Sequence, residues 1–66
     1  MNAIEKMGYR INYEVLNRNY IEATGEPVNE ECRRWHDNIT HLFIAVYQAG
    51  VKGKPLHDVL PFVEEI

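Results

Sequence analysis

Between Asn29 and Gly50 the apolar positions recur on a fixed rhythm. Cys32, Trp35, Ile39, Leu42, Val46 and Ala49 follow one another at spacings of 3, 4, 3, 4 and 3, which is the heptad seam of an amphipathic helix. The flanking residues agree with that period. Asn29 is a favourable N-cap, Glu30 and Glu31 sit in the first turn where the helix dipole favours anions, and Gly50 suits the position just past the end. At about 100° per residue, Trp35 and Ile39 fall mid-seam with Cys32 and Phe43 to one side, while Arg33, Arg34, Asp37 and His41 fall opposite. The seam is therefore expected to face the core and the charged set to face water.

The N-terminal third is less settled. Gly25 and Pro27 end a helix near Thr24, but the start falls at either Asn2 or Asn12, with Gly8 between them. A continuous helix would carry Ile4, Met7, Ile11 and Val15 on one side and Tyr9, Tyr13, Leu16, Tyr20 and Ala23 on the other. A helix apolar on both sides needs cover on both, here from the C-terminal segment or from another chain. That segment, KPLHDVLPFVEEI, places Leu56, Val59, Leu60, Val63 and Ile66 at helical spacing. With Asp58 as N-cap, Pro61 becomes the third helical residue, where its missing N–H costs nothing. A short helix is thus predicted from about Val59 onward. The expected fold is all-α, a three-helix mini-domain: an antiparallel helical hairpin of roughly residues 9–24 and 30–49 with a short C-terminal helix across it, one domain over residues 1–66.

At 66 residues such a domain buries only about 60% of the surface its unfolded chain exposes, so a staple or a partner is welcome. A disulfide within the chain is excluded, because Cys32 is the sole cysteine, and a lone thiol suits a reducing compartment. The opening stretch MNAIEKMGYR lacks the basic and apolar regions of an export signal, and no apolar run approaches the ~18 residues of a membrane span. The expectation is a cytoplasmic protein with no membrane contact, in which the sequon Asn38-Ile39-Thr40 carries no glycan. Net charge is −3, from 10 acidic and 7 basic residues, which disfavours nonspecific binding to polyanions.

The stretch RRWHDNITH, residues 33–41, concentrates chemistry-bearing side chains. His36 and His41, five apart, diverge by roughly 140° and cannot share a metal on a straight helix. Only Cys32 with His36, and Asp37 with His41, have the one-turn spacing that lets two ligands converge, and two ligands do not complete a site. No metal and no cofactor are expected. Catalysis is not expected either: the chain has no serine, and the Cys32–His36 pair imitates a nucleophile and base only in spacing, since packed apolar surroundings disfavour a thiolate. The loop GVKGKP, with Gly50, Lys52, Gly53 and Lys54, falls short of a phosphate-binding loop.

What remains is binding. Tyr9, Tyr13 and Tyr20, with Arg10 and Arg18 interleaved, form a partner-binding candidate, since interfaces favour tyrosine and arginine anchors; packing within the chain is the other role open to the tyrosines. The expected function is a non-catalytic protein-binding module, an accessory subunit, regulator or inhibitor of the kind carried by phage and mobile elements. Its partner would be another protein or a second copy of itself. Two alternatives use charge. A dimeric nucleic-acid-binding regulator would employ Arg33, Arg34, Lys52 and Lys54. An acidic surface of Glu22, Glu26, Glu30, Glu31, Glu64 and Glu65 would instead occupy a nucleic-acid-binding site on another protein.

Overall fold

The computed structural model describes residues 3–50 and 53–66. Helix α1 (Ala3–Lys6) is a single turn, followed by strand β1 (Tyr9–Ile11), helix α2 (Tyr13–Thr24), helix α3 (Glu30–Gly50), the short helix α4 (Leu56–Val59) and strand β2 (Val63–Glu65). Of the two candidate starts for the N-terminal helix, Asn12 is the one used. Its side-chain oxygen accepts the Val15 N–H at 3.2 Å, and Gly25, at φ 80°, ends α2 in the left-handed conformation, its N–H donating to the Ile21 carbonyl. Asn2 lies outside the described residues. Gly8, at φ 85°, turns the chain between α1 and β1, a conformation that side-chain-bearing residues rarely adopt.

The all-α, three-helix expectation is overturned by the two strands. β1 and β2 pair antiparallel, with Tyr9 opposite Glu65, Arg10 opposite Glu64 and Ile11 opposite Val63. The ladder is extended at its ends by Asn12 N–H to the Phe62 carbonyl at 2.6 Å and Ile66 N–H to the Gly8 carbonyl at 2.9 Å. The physical cause is local. Gly8 interrupts helical periodicity before Tyr9. At the other end α4 starts right after Pro55 and closes at Leu60, whose N–H reaches the Leu56 carbonyl. Pro61 therefore falls in a turn rather than inside a helix, and the following residues are free to extend. The expected helix from about Val59 onward is replaced by a turn and β2, and the described residues hold four helices rather than three.

The core also differs from the expected hairpin. Ile4, Ile44, Leu56 and Val63 form the buried cluster, with Met7, Tyr9, Ile11, Tyr47, Leu60 and Phe62 packed partly buried around it. It therefore joins α1, α3, α4 and β2. Helix α2 stands outside this cluster, burying Leu16 and tied to its neighbours by specific contacts. The Tyr13 hydroxyl donates to Asp37 of α3, the Tyr20 ring meets the His36 ring edge-on, and Asn17 accepts the Val28 N–H at 2.9 Å. Helix α3 is the long rod on which the rest is assembled. Asn29 caps it as predicted, accepting the Cys32 N–H at 2.8 Å, and the helix runs through Gly50 rather than stopping before it. Among the described residues, no helix is long and apolar enough to cross a membrane.

Candidate protein-binding surface

The side of α3 that enters the core carries Thr40 and Ile44, both buried. Asp37 and His41, expected in water, are half-buried beside them. The seam lies roughly 150° around the helix from Thr40 and Ile44 and faces outward: Trp35 is 58% exposed, Ile39 44%, Leu42 58% and Val46 69%. The expectation that Trp35 and Ile39 pack inside is thereby reversed. The reason is competition for the inner side. Ile44 meets Ile4, Leu56 and Val63 there, and Asp37 on that side is made tolerable by the Tyr13 hydroxyl.

Towards the C-terminal end of α3 the stripe widens into a groove. Phe43, Val46, Tyr47, Gly53, Lys54 and Val59 enclose about 500 Å³, with Phe43 and Tyr47 stacked at 6.4 Å between ring centroids. Lys54 is the sole charged side chain of this lining. At the other end, Trp35 stands edge-on to His36 at 5.0 Å, and the His36 ring meets Phe62 at 6.0 Å. His36 thus braces the indole from the protein side. Together Trp35, Ile39, Leu42, Phe43, Val46 and Val59 leave a set of large apolar side chains exposed, of the kind that marks an interaction surface when contiguous.

The tyrosines and arginines singled out from the sequence do not share one surface. Tyr9 sits in β1 packed against the core, while its neighbour Arg10 forms an exposed ion pair with Glu64 at 3.1 Å. Tyr13 is engaged within the chain: burial first, and then its hydrogen bond to Asp37, push its pKa from 10.0 up to about 12, and the Arg33 guanidinium lies 5.3 Å from the ring centre. Tyr20 is likewise shifted upward, chiefly by its hydrogen bond with Cys32. Arg18 is exposed on α2.

Arg33 and Arg34 are exposed in the second turn of α3 and Lys54 lies beyond its far end, so one chain does not gather them into one patch; Lys52 lies outside the described residues. Of the acidic set, Glu64 is held by Asn12 at 2.8 Å and by Arg10; the Asn12 bond first, then that of Arg10, lower its pKa. Arg34, Asp37, Asn38 and His41 border a dent of about 220 Å³ beside Ile4, in which the His41 Nδ1 is buried without a hydrogen-bond partner. Among the described residues, no three His, Cys, Asp or Glu side chains converge as metal ligands.

The outward stripe is what sequence reasoning placed on the wrong side. A signal for it was present. A heptad seam of this length is matched by another long helix, and α2, with 12 residues and Leu16 as its buried residue, is not one. No family model matches the chain, and no curated protein and no solved structure matches it.

Proposed function

We propose that this chain is a non-catalytic protein-binding module whose binding surface is the outer stripe of α3 with the adjoining groove. The observation that carries this reading is a continuous apolar row from Trp35 to Val46 standing in water on a rigid helix. Large aromatic and aliphatic anchors of that kind, desolvated by a partner, supply most of the binding energy at interfaces. Tyr13 and Tyr20 of α2 play a supporting part, holding α2 beside α3 through Asp37 and His36 rather than forming the contact themselves.

The reading is tested with immobilised wild-type chain and a Leu42→Glu variant, using as prey both lysate of the source cell and a tagged soluble copy of the chain. Binding that the wild type shows and Leu42→Glu loses, with the helical circular dichroism signal unchanged, is the expected result. Binding that persists in Leu42→Glu, or that is lost instead in Tyr13→Ala with Arg18→Glu while α3 stays folded, would overturn the placement on α3. Absence of any prey in every arm would overturn the module reading altogether.

A further inference from the structure

We infer that the occupant of the α3 stripe is the same stripe of a second copy, packed antiparallel; the inference rests on the reading of that stripe as a binding surface. The spacing of the seam is palindromic. Read in either direction it runs 3, 4, 3, 4, 3, so a two-fold axis between Ile39 and Leu42 brings every seam residue opposite another. Cys32 meets Ala49 of the second copy, Trp35 meets its Val46, and Ile39 meets its Leu42, all within a single register.

Size and charge select this orientation over the parallel one. In a parallel pair Trp35 would face Trp35 and Ala49 would face Ala49, a clash in one layer and a void in another, both costly in a packed interface. In the antiparallel pair the indole faces the smaller Val46, at the rim of the groove formed by Phe43, Val46, Tyr47 and Val59, which can take its bulk. The flanks carry no like-charge conflict: Asn38 lies level with Phe43 of the second copy, and Glu31 with its Gly50. Glu30 and Glu31 at the start of α3 come to the end where the second copy exposes Lys54, and the two helix dipoles oppose each other. A parallel pair would instead place four glutamates at one end.

The register makes a chemical prediction that uses Cys32 as a ruler. In the antiparallel pair the two Cys32 residues are separated by about 17 residues of helix, or ~26 Å, far beyond the roughly 7 Å limit between Cα atoms for a disulfide. Molar mass is measured by light scattering after size exclusion over a wide concentration range, and covalent pairing is measured under mild oxidation. A doubling of the 7.7 kDa mass that Leu42→Glu abolishes is expected. Ala49→Cys is expected to give a covalent dimer through Cys32 of one copy and position 49 of the other, while wild type gives none. Should Leu42→Glu fail to fold, the cysteine pair still decides.

A wild-type Cys32–Cys32 disulfide formed as fast as the Ala49→Cys product would overturn the register. A strict monomer would overturn self-pairing; if a foreign protein is then captured in a Leu42-dependent way, the binding-module reading stands, and if nothing is captured, both fall.

Discussion

Leu42 and Ile44 are two residues apart on the same helix, similar in size and hydrophobicity, and their surroundings are opposite. Ile44 is wholly enclosed, whereas Leu42 is 58% exposed. Around Ile44 the helix also buries Thr40 and half-buries His36, Asp37 and Tyr47; around Leu42 the neighbours are Trp35, Ile39, Val46 and Ala49. The side of α3 that is more apolar in sequence is the one left in water. Hydrophobicity says that a helix surface wants cover, and the rest of the fold decides which cover is within reach. Here Ile4 of α1, Leu56 of α4 and Val63 of β2 close over the mixed side, and the apolar side stands largely in water.

The largest expected effect lies on the inner side. Ile44→Ala should cost about 2–5 kcal/mol, the range for truncating a buried aliphatic residue, measured by chemical denaturation at low protein concentration. Tyr13→Phe comes next, at about 1 kcal/mol near neutral pH for loss of the hydrogen bond to Asp37. Tyr13 also sharpens the comparison through pH. Its folded pKa of about 12 lies above its ordinary value of 10.0, so the stability it contributes is full below pH 10 and is lost as pH rises from 10 to 12. Tyr13→Phe should flatten the alkaline limb of the stability curve in that window, and an unchanged limb would show that the Asp37 contact does not form in solution.

On the outer side, Leu42→Ala should move the stability of the monomer by no more than about 0.5 kcal/mol while removing binding. Equal losses for Leu42→Ala and Ile44→Ala at low concentration would erase the distinction between the two sides. The smallest effect belongs to Glu64, whose pKa is lowered by Asn12 and Arg10. Its contribution is present above the ordinary carboxylate pKa and fades as pH falls through the lowered value, so Glu64→Gln should blunt slightly the acid limb of a denaturation series and leave the neutral region unchanged.

Much of the local structure was legible in the residues. The Asn29 cap, the extent of α3 to within a residue and the end of α2 at Thr24 all follow from capping chemistry and glycine placement, which act over a few residues; the start of α2, open between Asn2 and Asn12 in the sequence, is decided only in the fold. The strands were not legible. Each is three residues long, too short for a period of two to show, and each gains its hydrogen bonds from a segment more than fifty positions away. The candidate surface was legible as a pattern and misread as to direction. Periodicity finds the stripe, but the residues that cover the other side of α3, namely Ile4, Leu56 and Val63, announce themselves only once the chain is folded. The tyrosine pattern misled for a related reason: helical spacing across Tyr9, Tyr13 and Tyr20 presupposes one helix, and Asn12 begins a new one between the first two.

Trp35 is the chain's only tryptophan, and it sits on the surface in question. The decisive measurement is acrylamide quenching of its fluorescence in Leu42→Glu, where pairing through the stripe cannot hide the indole. A folded helical signal with a readily quenched, water-exposed Trp35 is the predicted result. A folded variant whose Trp35 is shielded from quencher would mean that the stripe is covered within the monomer and is not its binding surface.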